Sequence, residues 1–497
     1  MKRFILDSLS GPTVRLVGGR AVGFVAVFAI PVVLSRVFTT SEFGTYKQLF
    51  LLFSTLFGVA QLGMAESLYY FVPGKPREAG PHVANAIVTL SLAGAGCLAL
   101  LWVTRGPISA WFGNPQLADD LVLLGLVLAP MLIATMFEIV MISRHQHMKA
   151  AITYALSDLG RTVLFIVPAI GFRSLRGVLI GAVAFGFFRL AVMLVYLRRE
   201  FGRDLHVDIA VWRRQLAYAL PFALAVGVEV IQLNFHQYVV AARFDPATFA
   251  IYAVGCLQIP LVDMVMTSTV SVMMVQMAGH ARTGDRQAAL TLWHDTVYKL
   301  SALFFPLTVF LIVAARPVIL ALFTAKYLGS VPIFMVWTLA AVPTAAFAVD
   351  GVLRAYAQTR FLLILNIVRF ALVVILIAPL LWGFGLVGAV LVTLLATSLF
   401  KVAGAVRITR LIASGLADAL PWGRLGAVTM RSLVAAAPAA WIVHSLTVRP
   451  IVVVPIAGAA YFAVYAALSY SSLRADQPAS RVPMLTSLAA VSVPEDL

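Results

Sequence analysis

Long apolar runs separated by short polar breaks organise the whole chain. They stand at 14–37, 46–72, 83–104, 120–143, 151–171, 176–197, 216–241, 249–275, 296–320, 332–354, 361–382, 384–406, 425–446 and 450–470. A helix needs about 20 apolar residues to cross the hydrocarbon of a bilayer, and every run reaches that length. The breaks at Gly171–Arg176 and Trp382–Phe384 are short enough to be tight hairpins. The pattern predicts an all-α integral membrane protein with about 14 transmembrane helices. An even count places both termini on one side.

Composition agrees. Of the 497 residues, 61% are hydrophobic and 12% charged, against about 25% charged in ordinary soluble chains, and the mean hydropathy is +0.96. A soluble domain of this mass has too little interior to hide that surface. The net charge of +16 does not point to nucleic acid, because the basic residues stand singly or in pairs beside apolar runs without a basic stripe. They report topology instead, through the excess of Lys and Arg in cytoplasmic loops. With the N-terminus inside, and with residues toward a span end, Lys401 among them, assigned to the nearer face, 21 basic residues go to the cytoplasmic face, 9 to the other and 7 to span interiors. Both termini are expected in the cytoplasm. Cys97 and Cys256 lie inside apolar runs, which supports neither a disulfide framework nor a metal cluster. No cleavable signal is expected, since the first run is too long, and the last 25 or so residues read as a disordered tail.

Three segments recur at a nearly constant offset. Phe38-x4-Phe43-x2-Tyr46 returns as Phe244-x4-Phe249-x2-Tyr252, Ile108-Ser-Ala-Trp-Phe112 as Ile319-Leu-Ala-Leu-Phe323, and Leu175-Arg-Gly177 as Leu386-Val-Gly388. The offsets of 206, 211 and 211 define a repeat of six spans. An even number of spans gives two copies of the same topology, related by a pseudo-two-fold axis along the membrane normal with a site near the midplane. The expected organisation is a cytoplasmic N-terminus (1–13), an N-lobe (14–197), a linker (198–215), a C-lobe (216–406), a second linker (407–424), two extra helices (425–470) and a tail (471–497). Two facing six-helix lobes are a transporter architecture.

The first loop, Ser35-Arg36-x-Phe38-x3-Glu42-Phe43-Gly44-x-Tyr46, resembles the opening signature of bacterial oligosaccharide flippases of the Wzx type. So do Leu220-Pro221-Phe222, Phe249-x2-Tyr252 and Ala325-Lys326-Tyr327, in the family's order over about residues 10–470. These flippases belong to the multidrug/oligosaccharidyl-lipid/polysaccharide exporter superfamily, which usually has twelve or fourteen spans. The resemblance implies movement of a polyprenyl-diphosphate-linked oligosaccharide from the cytoplasmic to the outer leaflet of a bacterial inner membrane. It also implies a polysaccharide polymerase and chain-length machinery as partners. A lipid-linked peptidoglycan precursor flippase and a multidrug antiporter share the superfamily.

Ionisable groups inside spans are costly and each raises a functional question. Arg15, Lys299 and Arg431 lie within about two turns of the cytoplasmic interface and can snorkel. Arg20, Arg189 and Arg369 lie deeper, roughly 9–12 Å from a span end at 1.5 Å per residue. Guanidinium groups there suit a diphosphate, because they stay ionised and bind oxyanions in a bidentate fork. Arg20 is flanked by Gly18, Gly19 and Gly23. Glu229, Gln232 and His236 form one polar face of the seventh span, open to sugar contact, cation coupling or interhelical hydrogen bonding. Asp158 and Arg161, three apart, are expected to pair. Glu138 and Asp350 occupy matching places in the two lobes at an offset of 212, with Arg354 four residues beyond Asp350, and are candidates for a cytoplasmic gate. Glu66, beside Tyr69 and Tyr70, and Asp263, beside Thr267, complete the coupling candidates.

Other signals carry less. Gly383-Phe-Gly385-Leu-Val-Gly388 sits in a hairpin without the strand that a dinucleotide site requires, and His145-Gln-His147 has no third ligand nearby. No P-loop is present, and no cofactor or metal is expected. A polyprenyl-dependent glycosyltransferase or ligase needs catalytic groups on substantial outer loops, whereas the expected outer loops are all under about 16 residues, so the chain is read as a transporter and not an enzyme.

Overall fold

The structure, a computed structural model, describes residues 12–73, 79–413, 415, 418–446 and 448–475; side chains of 12–22, 24, 25, 260–264 and 471–475 lie outside the description. Helices carry the fold, and no strand occurs among the described residues. Ten helices are long and apolar enough to cross a membrane, eleven if one bent pair is a single span. That range is compatible with fourteen spans, since every apolar run is mostly helical and one 54-residue helix contains two runs. The described residues form two compact units that divide between Ala250 and Ile251.

The first unit contains α1 (Pro12–Val37), α2 (Thr40–Ala60), α3 (Met64–Phe71), α4 (Ala79–Trp111), α5 (Leu117–Ala134), α6 (Met136–Ser143), α7 (His147–Phe172), α8 (Leu175–Phe201) and α9 (Ile209–Arg243). Reciprocal capping starts α2: Thr39 Oγ1 accepts from the Glu42 amide at 3.2 Å, and the Thr39 amide donates to Glu42 Oε2 at 2.9 Å. The helix bends by 40° into α3, where Leu62 and Gly63 take left-handed conformations that glycine adopts without steric cost. Close pairs rest on small residues, as membrane helices require when the lipid offers no hydrophobic drive. Gly181 of α8 lies directly on the Leu164 carbonyl oxygen of α7, leaving no room for a Cβ.

The repeat assigns α9 to the second lobe, yet α9 packs on α3, α4 and α2 of the first unit. A ladder of polar contacts holds it there. Asn85 Nδ2 donates to the Asp208 carbonyl at 3.0 Å, Trp212 Nε1 to Thr89 Oγ1 at 2.9 Å, Gln215 Nε2 to Ser67 Oγ at 2.9 Å, and Asn234 Nδ2 to Thr55 Oγ1 at 3.0 Å. Such bonds between membrane helices contribute about 0.6 kcal/mol each on average.

Helix α10 (Pro246–Gly255) crosses the division, and the second unit continues with α11 (Pro260–Thr283), α12 (Arg286–Val313), α13 (Ala315–Phe323), α14 (Val331–Leu339), α15 (Ala341–Phe347), α16 (Val349–Ala355), α17 (Thr359–Ile412), α18 (Trp422–Ser445) and α19 (Pro450–Ala475). Helix α17 is the fifth and sixth spans of the repeat joined at Gly385, whose φ of 58° and ψ of −145° turn the chain back on itself. The core gathers Trp293, Phe304, Val349, Leu353, Phe400 and Ile408 from α12, α16 and α17. The two helices beyond the repeat are part of this unit: α18 packs on α12 and on α19, with Arg424 paired to Asp295 at 3.1 Å and Tyr465 donating to the Ala302 carbonyl at 2.9 Å.

Internal geometry repeats between the units. His145 and Ala357 both have positive φ, as do Arg173 and Gly385, and each pair stands at the same offset as Glu138 and Asp350. The amides of Gln146 and Gln358 close the same turn, donating to the carbonyls of Met141 and Leu353 at 2.8 Å each.

Candidate functional site

In the first unit four of the described intramembrane charges, Glu138, Asp158, Arg161 and Arg189, lie in one region. The fourth span runs continuously from α5 into α6 through a single turn residue, Thr135, whose backbone stays αR, and the first turn of α6 carries Glu138. Its carboxylate is 1% exposed and lies 2.7 Å from Arg189 Nη2 on α8, which is 15% exposed. On α7 the expected Asp158–Arg161 pair forms at 3.1 Å. Gly23 of α1 sits against the Asp158 carboxylate, so close that an added Cβ would collide with it. Arg161 and Arg189 lie within each other's electrostatic reach. Two carboxylates and two guanidinium groups therefore share one region with no formal net charge.

The second unit has a counterpart. Its fourth span breaks at Ala348, with φ 42°, and Asp350 in the first turn of α16 pairs with Lys401 on the second limb of α17. Lys401, which the topology count assigned to the cytoplasmic face, is 9% exposed because α17 runs on to Ile412. The Arg369 guanidinium lies 5.4 Å from the centre of the Phe400 ring, and Lys401 Nζ lies at the same distance from that ring. Nearer the helix end, Arg407 donates to Gln358 Oε1 through Nη2 at 2.8 Å and Nε at 3.2 Å. Asp350, Lys401 and Arg369 together carry a formal charge of +1.

The remaining candidates are distributed. On α9, Gln232 and His236 are buried and Glu229 is exposed. Glu66 lies half-buried in the first turn of α3, just past the bend, and makes no ion pair among the described residues. Tyr70 beside it stacks on Tyr218 with ring centres 4.8 Å apart, and both rings are exposed. Arg20 and Asp263 lie outside the residues whose side chains are described. Sequence reasoning missed Lys401 and the α9 ladder. The offset of 212 between Arg189 and Lys401 was a signal for the first, whereas no spacing signal marks the second.

The sequence profile of the polysaccharide biosynthesis protein family matches residues 33–332, more than half of the chain. The chain belongs to that family. It is a multi-pass membrane protein with the fold of multidrug/oligosaccharidyl-lipid/polysaccharide exporters. A lipid II flippase, MurJ, in an inward closed conformation superposes with a TM-score of 0.69 at 14% identity, over 93% of this chain and 99% of the flippase. An inward-facing multidrug resistance MATE family transporter gives 0.63 at 13% identity, over 78% and 96%. A transporter of the same superfamily from Pyrococcus furiosus gives 0.54 at 12% identity, over 82% and 95%. No curated protein matches the chain in sequence.

Proposed function

We propose that this family member is a secondary transporter that flips polyprenyl-diphosphate-linked oligosaccharide repeat units from the cytoplasmic to the outer leaflet, by alternating access of two lobes, for cell-surface polysaccharide synthesis. Membership of the polysaccharide biosynthesis family carries this reading. The charged groups are compatible with it. Glu138, Asp158 and Asp350 are each paired with a cation, and the Arg369 guanidinium beside Phe400 is a group of the kind that binds a diphosphate.

The protein works in a bacterial inner membrane with both termini cytoplasmic, delivering units to a polysaccharide polymerase and chain-length machinery. A headgroup with about two negative charges gains up to ~4–5 kcal/mol on leaving an interior at −100 mV, at ~2.3 kcal/mol per charge. A lipid-linked peptidoglycan precursor shares that headgroup, and the likeness to a lipid II flippase over 93% of the chain makes it the second reading.

The test follows lipid-linked oligosaccharides in cells depleted of the protein, then supplied with the wild type or Arg369→Ala. Completed units should accumulate in the cytoplasmic leaflet, and wild type should relieve this where Arg369→Ala does not. Normal delivery to the outer leaflet without the protein, in cells lacking any other flippase, overturns the oligosaccharide reading. Loss of peptidoglycan precursor delivery instead selects the second.

A further inference from the structure

The ion pairs Glu138–Arg189 and Asp350–Lys401 occupy equivalent places in the repeat. The two acids stand at an offset of 212, and so do the two bases. Each acid stands in the first turn after an irregularity in its span, a single turn residue at Thr135 whose backbone stays αR and a left-handed break at Ala348. Each base stands on the sixth span of its repeat. A second contact lies at the end of the same segment. Gln146 accepts from the Tyr196 hydroxyl at 3.0 Å and donates to Glu200 at 3.0 Å, and Gln358 accepts from Arg407. The short helices α6 and α16 are thus tied to the sixth span at both ends.

The side chains differ between the copies while the charge pair is kept. Arg is replaced by Lys and Glu by Asp. A bidentate oxyanion fork is lost in that exchange, so recognition of a diphosphate does not explain why the arrangement recurs. Attraction between two particular helices does. Glu138 and Arg189 are buried, and Lys401 is buried against a partly exposed Asp350; opening either pair would leave a buried charge unmatched, the costly outcome for a buried ion.

We propose that Glu138–Arg189 and Asp350–Lys401 are equivalent clamps that stay closed throughout the transport cycle, so that the end of the fourth span and the sixth span of each repeat move as one body. Arg189 and Lys401 are then positioning residues that do not touch the substrate. Only the activity arm of the test rests on the transporter reading.

The test replaces Cys97 and Cys256 by Ala, then introduces Glu138→Cys with Arg189→Cys, or Asp350→Cys with Lys401→Cys, in the full-length protein. Without a bridge, each double variant should transport labelled lipid-linked oligosaccharide about tenfold more slowly. Bridging the two thiols with a short bis-methanethiosulfonate reagent should restore the rate to within about threefold of the parent. Charge-swapped variants, Glu138→Arg with Arg189→Glu and Asp350→Lys with Lys401→Asp, should melt above the corresponding single variants and recover turnover, with KM unchanged. The melting arm needs no substrate, so a parent that moves no lipid-linked oligosaccharide would sink the transporter reading and leave the clamps to be judged by melting. Transport blocked by bridging overturns the proposal. So does a swap that melts no higher than its single variants, or an Arg189→Lys variant whose KM rises about tenfold at unchanged kcat.

Discussion

The Glu138 carboxylate, almost fully buried on α6, meets the Arg189 guanidinium of α8 at 2.7 Å, and Asp350 meets Lys401 across an equal length of chain in the second unit. The repeat has thus produced a duplicated contact between the end of the fourth span and the sixth span.

Removing one member of a buried pair strands the other. Glu138→Ala should destabilise the purified protein by about 3–5 kcal/mol, while Glu138→Met combined with Arg189→Met should recover most of that loss, because two apolar groups leave no unpaired charge. Thermal unfolding in detergent measures both. A double variant no more stable than Glu138→Ala would show that the pair is not the source of the stability.

Gly181 rests on the Leu164 carbonyl, so any side chain there forces α7 and α8 apart. Gly181→Val should cost about 3 kcal/mol, at the upper end for overpacking, and should lower the yield of monodisperse protein in size-exclusion chromatography. Gly383→Ala, at a position with open space around it, should behave like the parent.

How far these contacts could be read in advance depends on their range. Asp158 and Arg161 lie three residues apart on one helix, so helical spacing alone predicts their pairing. The apolar runs likewise predict where helix occurs, because a bilayer demands an internally satisfied backbone. The partners of Glu138 and Asp350 were not legible, since periodicity along one helix does not say which other helix it faces. Arg354 stands four residues beyond Asp350, yet the ion pair forms with Lys401, hidden because α17 continues well beyond it to Ile412. The association of α9 with the first unit was illegible for the same reason: Gln215 and Asn234 announce polar contacts without naming Ser67 and Thr55.

Asp245 caps α10 with a charge that depends on pH. Its carboxylate accepts from the Thr248 amide at 2.9 Å and from the Thr248 hydroxyl at 2.8 Å, and the backbone N–H of Thr248 chiefly holds its carboxyl below the usual carboxylate range. A depressed folded-state pKa stabilises above the unfolded value of about 3.9 and loses that contribution as pH falls through the folded value. Asp245→Ala should therefore cost about 1 kcal/mol near pH 7. The gap to the parent should narrow on acidification below the ordinary aspartate range. A gap independent of pH in melting curves would contradict the charged cap.

Gln215→Leu removes one rung between α9 and α3 and should cost about 0.6 kcal/mol for the lost bond. Hydrogen exchange should rise along α9 near Ser67 in this variant. Unchanged protection would mean that the rung does not hold the helix.

Transport of a diphosphate-linked sugar lipid is the central claim, and a reconstituted system tests it most directly. Purified protein in sealed vesicles would be given a labelled polyprenyl-diphosphate oligosaccharide, and the fraction reaching the opposite leaflet followed with an impermeant quencher. The account predicts flipping at least about tenfold above protein-free vesicles, faster when the membrane potential favours exit of negative charge, and reduced by Arg369→Ala. Flipping no faster than in protein-free vesicles under every imposed gradient would contradict it.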